Sequence, residues 1–163
     1  MQQSYSRQQL NAEWLSGRTD KFFRGLKPSS EDHQQANFFA WIDYWGEQFP
    51  KLKTCYAEPN GSNKSKMQRY VMSITGLRSG VPDVHLPIFS RIYYEATNIS
   101  IEYTGLYIEF KSKKGVLSPN QKIWMQRLRD VNHMVEVCKS WQAAANLVID
   151  YLGLPIEKLV CPK

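Results

Sequence analysis

The chain is poor in cysteine and histidine and has no long apolar run. Each shortage removes a class of protein. Its three cysteines, Cys55, Cys138 and Cys161, form no C-x-x-C pair, which argues against a zinc knuckle or a dithiol redox centre. An odd count at wide spacings suits free thiols in reducing surroundings, and Cys138, in Met134-Val135-Glu136-Val137-Cys138, is expected to be buried. The three histidines, His33, His85 and His133, stand far apart and lack zinc-ligand spacing. There is no glycine-rich phosphate loop and no Ser-His-Asp order, which disfavours a general small-molecule enzyme. No stretch approaches the length of a membrane span, and the first 30 residues hold no apolar stretch of signal-peptide length. A soluble, cytoplasmic protein is expected. Internal repeats and low-complexity blocks are also missing.

What is there fits one globular domain. The 163 residues are 42% hydrophobic and 22% charged, enough to build a core. Lys and Arg number 21 against 15 acids, a formal charge of +6. Such a balance suits a polyanionic partner, because basic side chains replace the counterions condensed on phosphates. Ordinary solubility is the competing explanation.

Residues 1–29 are Gln-rich at the start and read as an N-terminal extension, with a short helix around residues 9–15. The first firm helix opens at Ser30, a good N-cap followed by Glu31 and Asp32 in the first turn. Ala36, Phe39, Ile42 and Trp45 continue it at helical spacing. Residues 52–57 read as a short strand and 58–63 as a turn. A helix is expected over 66–77 and a second strand over 84–89. Residues 90–103 suit a hairpin or strand-like insertion, and 106–111 a central strand. Ser118-Pro119-Asn120-Gln121 opens a helix with Pro at its first position and a capping box, running to about Val131. A strand over 133–138 and a helix over 141–152, capped by Ser140 and closed by Gly153, complete an α-β-α-β-β-α-β-α order. That alternation predicts an α/β fold with a mixed sheet of about four strands flanked by helices. Residues 154–163 read as a tail.

The chemistry concentrates at the polar ends of two apolar runs, Gly80-Val81-Pro82-Asp83-Val84 and Gly105-Leu106-Tyr107-Ile108-Glu109-Phe110-Lys111. Alternate residues of a strand share a face, so Glu109 and Lys111 point the same way, with Cα atoms about 6.6 Å apart. If Asp83 lies on the adjacent strand, two carboxylates meet, and they repel unless a cation separates them. Mg²⁺ or Mn²⁺, held by Asp83, Glu109 and the carbonyl of Phe110, fits that need. Such an ion beside a phosphodiester points to a nuclease. Lys111 would orient the attacking water or balance charge on the phosphorus oxygens; acting as a base would need a large fall from the ordinary lysine pKa of about 10.4. The blander readings are a surface acid-lysine pair and a Pro-Asp turn. His85 shares the strand face of Asp83 and reads as a structural or solvent-facing histidine. Lys113 and Lys114 just beyond the strand, and the basic loop 60–66, suit a rim that tracks phosphates.

Together these segments resemble the VRR-NUC domain, the virus-type replication and repair branch of the PD-(D/E)xK nucleases. The resemblance rests on Gly80-Val81-Pro82-Asp83, the Glu109-Phe110-Lys111 strand, Lys114-Gly115 and Leu117-Ser118-Pro119-Asn120-Gln121. Glu31-Asp32-His33-Gln34-Gln35 and Pro59-Asn60-Gly61 add to it, as do residues 135–138, 141–144 and 151–153. It spans about residues 30–153, taken as the nuclease domain.

The resemblance implies a restriction-endonuclease-like core with Asp83 and Glu109 as metal ligands and Lys111 as catalytic lysine. Glu31 would complete the acidic cluster. Gln35, one turn on, would support the site, as would Gln121. The loop departs from the family pattern: Ser62, Asn63 and Lys64 follow the Pro-Asn-Gly, and Lys66 or Arg69 would replace the usual arginine. Asn60, Lys64, Lys66, Arg69, Lys113 and Lys114 are thus the candidate DNA contacts. The implied activity is a DNA endonuclease acting on branched replication or repair intermediates, as Holliday-junction resolvases do. A homodimer in a bacterial or phage-infected cell is also implied. Two other classes stay open: a nucleic-acid-binding module that does not cleave, and a mobile-element protein-interaction factor. The presence of Asp83, Glu109 and Lys111 together argues against a decayed site.

Overall fold

In the computed structural model of the chain, residues 30–58 and 65–161 are described. They fall into two compact units. One is drawn from the residues up to Lys53, from Phe110–Lys114 and from Cys138 onward; the other comprises Thr54–Glu109 and Gly115–Val137.

In the first unit, helix α1 (Glu31–Gly46) begins where its acids and cap predict. The Ser30 hydroxyl accepts a hydrogen bond from the His33 amide at 3.2 Å. This relieves one of the orphan donors at a helix start. Helix α4 (Trp141–Leu152) is capped by Ser140 and ends on Gly153 in the left-handed conformation at φ 61°, the usual role of glycine there. The two helices pack together, and the Trp141 amide donates to Gln34 Oε1 at 2.9 Å. Phe38 and Trp41 are fully buried, and Phe38 lies 5.8 Å from Phe110 between ring centroids. The C-terminal segment is tied to α4: Asn146 donates to the Leu159 carbonyl at 2.8 Å and accepts from its amide at 2.7 Å.

The second unit carries the sheet. Its strands are β1 (Tyr56–Ala57), β2 (Val84–Leu86), β5 (Gly105–Phe110) and β6 (His133–Cys138), in the order β1-β2-β5-β6. The last residues of β5 and β6, Phe110 and Cys138, belong to the first unit. β2 runs antiparallel to β1 and to β5. Bonds from the Thr104 amide to the Asn132 carbonyl and from the Lys111 amide to the Cys138 carbonyl bracket β5 and β6. The two partner numbers rise together, as in a parallel pair, so the sheet is mixed. Helix α3 (Pro119–Asp130) makes the crossover. Its Met125 and Leu128 form a core with Val135, packed by Tyr107, Leu117, Trp124 and Val137. A second, two-stranded sheet is the hairpin of β3 (Ser90–Tyr94) and β4 (Ile99–Tyr103), turned through Asn98 at φ 53°.

Three sequence expectations shift. Of residues 52–57, 52–54 belong to a 3-10 turn over Pro50–Thr54, leaving a two-residue β1. The strand expected over 84–89 stops at Leu86, before Pro87, whose missing N–H cannot serve a ladder. Helix α2 (Lys66–Ile74) ends before Leu77, because Thr75 already leaves helical geometry and Gly76 follows at φ 109°. The hairpin reading of 90–103 holds. The expected helix at 9–15 lies outside the described residues. No helix among the described residues is long and apolar enough to cross a membrane.

Candidate active site

Successive side chains of β5 point to opposite faces of the sheet, although nearly all are buried. Leu106, Ile108 and Phe110 are fully buried, while Tyr107 and Glu109 take the other face. The β2–β5 register pairs Val84 with Ile108, His85 with Tyr107 and Leu86 with Leu106. Asp83 is the residue just before β2, at a bend, and one further step of the same register would bring it opposite Glu109. Opposed residues share a face, with Cβ atoms roughly 4.5–5.5 Å apart. The amide of Glu58 donates to the Asp83 carbonyl at 2.8 Å and holds the backbone there. Behind Asp83, Gly80 at φ 93° comes so near helix α3 that a Cβ would lie 2.7 Å from the Asn120 carbonyl carbon. Only glycine meets both demands.

Glu109 is 1% exposed, and its Oε1 accepts a hydrogen bond from Gln121 Nε2. Gln121 is fixed in turn by its capping box: its Oε1 accepts from the Ser118 amide at 2.9 Å, and its amide donates to the Ser118 hydroxyl at 3.3 Å. The cap and the carboxylate contact are both made.

In the first unit, Lys111 is 7% exposed. Its Nζ donates to the Phe110 carbonyl at 3.2 Å and stands 3.7 Å from Glu31 Oε2. Glu31 Oε1 accepts from the Ser112 amide at 3.0 Å. Two groups expected to face a metal, Glu31 and the Phe110 carbonyl, thus face the lysine ammonium. Gln35 stands one turn beyond Glu31 and is half-buried. Lys113 and Lys114 are exposed, and Lys139 Nζ donates to the Lys113 carbonyl at 3.2 Å. Lys66 is exposed at the start of α2, and Arg69 lies within that helix. Asn60 and Lys64 lie outside the described residues.

Beside Asp83, His85 stacks on Tyr107 at 4.0 Å with 6° between ring planes, and its Nδ1 lies 2.9 Å from the Tyr56 hydroxyl. Burial, and then the neighbouring His133, push its pKa down to about 4. Sequence spacing missed its meeting with His133, because only the strand order brings them together. It also missed Gln34 and the Ser112 amide; a polar residue within the first two turns of α1 was the one available signal.

The donors on the Asp83–Glu109 face suit a hard cation. Both are carboxylates, the donors that such ions prefer. Among the described residues no group of three or more His, Cys, Asp or Glu side chains is placed to hold a metal. The pair would therefore give two protein ligands and leave the remaining positions to water and phosphate oxygens, as Mg²⁺ commonly does.

A mixed sheet flanked by helices, with acids at the ends of two adjacent strands, is a restriction-endonuclease-like core. The VRR-NUC domain family matches residues 27–142, and the chain belongs to that family. It is thereby a nuclease domain of the PD-(D/E)xK type, a group that acts on DNA and generally uses divalent metals. A solved VRR_NUC domain protein shares the fold, with a TM-score of 0.59 and 21% identity over 79% of this chain and 93% of that one. None of the curated proteins matches.

Proposed function

We propose that the chain hydrolyses DNA phosphodiesters with the aid of Mg²⁺ or Mn²⁺ held by Asp83 and Glu109. The observation that carries this reading is the antiparallel register of β2 with β5, which ends at Val84 opposite Ile108 and leaves Asp83 and the buried Glu109 as the next residue on each side. A divalent ion, when bound there, supplies positive charge to a phosphoryl oxygen and acidity to a water. The protein's own part is orientation. Gln121 fixes one oxygen of Glu109, so the carboxylate keeps one rotamer. Lys111, one residue beyond Phe110, keeps its ammonium between a carbonyl and Glu31. As the catalytic lysine that the family pattern implies, it would orient the attacking water or meet charge developing on the phosphate. Glu31 and the Phe110 carbonyl are lysine holders in this reading.

The finer proposal follows the family: a homodimer cutting branched replication or repair DNA. A panel of labelled linear, flapped and four-way DNAs, with Mg²⁺, Mn²⁺ or chelator, tests it. Cleavage is expected only with metal and is expected to favour the branched substrates. Asp83→Ala and Glu109→Ala should abolish cutting while DNA binding in chelator persists. Undiminished cleavage in either variant would refute the assignment. Light scattering reports the oligomeric state.

A further inference from the structure

Two histidines far apart in sequence meet on one face of the sheet. His85 on β2 and His133 on β6 are separated by β5, yet their ring centroids lie 5.8 Å apart at 89°. Gly105, the first residue of β5, leaves them room. A Cβ there would lie 3.0 Å from His85 Nε2, 3.0 Å from His133 Nδ1 and 3.2 Å from the Leu86 carbonyl oxygen. One small space is therefore addressed by two imidazole nitrogens and a carbonyl.

We propose that His85 Nε2 and His133 Nδ1 form a second metal site, for a borderline ion of the Zn²⁺, Ni²⁺ and Cu²⁺ class. His85 Nε2 is buried and has no hydrogen-bond partner. A buried ring nitrogen in that state is costly, and a metal satisfies its lone pair. The opposite nitrogen, Nδ1, meets the Tyr56 hydroxyl at 2.9 Å. A hydrogen bond at the second ring nitrogen is what orients a metal-ligating histidine. Tyr107 stacked on His85 fixes the plane of the ring. His133 Nδ1 lies 3.2 Å from Thr104 Oγ1, which also lies 3.3 Å from the Val131 carbonyl and 3.2 Å from that of Asn132. The hydroxyl hydrogen can turn to a carbonyl and leave the His133 lone pair to an ion. Zinc–nitrogen bonds of about 2.0–2.1 Å require the two rings to swing together, with water completing the shell. Imidazole donors prefer these ions to Mg²⁺ and Mn²⁺, so the site differs in chemistry from the carboxylate pair. An ion there would clip β2 to β6 across β5.

The test uses tag-free, full-length protein. Thermal unfolding with ZnCl₂ or NiCl₂ is expected to rise by at least about 2 °C, since an ion that binds only the folded state stabilises it. His85→Gln and His133→Gln should each lose that rise, while Glu109→Ala keeps it. An equal rise in both histidine variants, or none in the wild type at saturating metal, overturns the proposal. Should either variant fail to fold, imidazole nitrogen NMR of the wild type decides. Sub-stoichiometric Zn²⁺ should move His85 and His133 and leave His33 in place; unmoved His85 and His133 signals overturn it.

Discussion

Gln121 holds Glu109 with one end of its amide and the first turn of α3 with the other. Nε2 donates to the Glu109 carboxylate, and Oε1 accepts from the Ser118 amide at 2.9 Å. Helix initiation and carboxylate orientation thus share one side chain.

Two substitutions separate those duties. Ser118→Ala removes the cap and should cost about 1 kcal/mol in urea unfolding, with cleavage nearly unchanged. Gln121→Ala should cost a similar amount and also slow cleavage about 10- to 100-fold, the usual toll for losing a partner of a metal-holding group. Equal rates for the two variants would show that Gln121 acts only as a cap.

Lys111 and Glu31 make a second contrast. Lys111→Ala should lower the single-turnover rate by about 10²–10³ with little change in DNA affinity. Lys111→Arg should not rescue it, because a planar fork does not fit a pocket shaped around one ammonium between Glu31 and a carbonyl. Glu31→Gln keeps an acceptor for the Ser112 amide and should retain more activity than Glu31→Ala. If Glu31→Gln were as dead as Asp83→Ala, Glu31 would be a metal ligand after all.

Gly80→Ala tests the approach of the Gly-Val-Pro-Asp turn to α3. The residue combines φ 93° with backbone 2.7 Å from any added Cβ. A loss of about 1–3 kcal/mol is expected from strain and overpacking. Cleavage should fall too, since Asp83 stands three residues on. Gly76→Ala gives the comparison: φ is 109° there, but nothing lies near the Cβ. It should show the backbone cost alone, read as a smaller shift of the urea midpoint.

The thiols make a chemical prediction. Burial pushes the Cys55 thiol from 9.0 to about 12. Because its folded pKa is raised, it supports the fold fully below pH 9 and loses that contribution as pH climbs toward 12. Cys55→Ala should flatten the fall in stability over that window. In native protein at neutral pH, an alkylating reagent should label exposed Cys161 well before buried Cys55 and Cys138, as peptide mass mapping would show.

The parts of this fold legible in the sequence are those that local chemistry dictates. Ser30, Ser118 and Ser140 each cap the helix they seemed to open, and Gly153 closes α4, because a cap needs only its own few residues. The alternation of β5 was equally plain, since Leu106, Ile108 and Phe110 are apolar and Glu109 is not. What hid was set by pairing. Residues 52–54 have a strand-like composition but curl into a 3-10 turn, and β2 stops at Leu86, where its pairing with β5 ends. Asp83 and Glu109 could be named in advance, but their opposition depends on a register that no local signal fixes. The meeting of His85 with His133 was hidden for the same reason. That Glu31 and the Phe110 carbonyl would hold the Lys111 ammonium was hidden too.

β2 and β5 are antiparallel neighbours, and everything from Pro87 to Thr104, the β3–β4 ribbon included, is the link between their paired ends. The alignment of Asp83 with Glu109 is therefore fixed on the side away from that link. A shorter connection, or a longer one grafted in its place, could reshape what the ribbon touches without sliding one acid past the other. Variation in size and contact surface can collect there while the β2–β5 register is left unchanged.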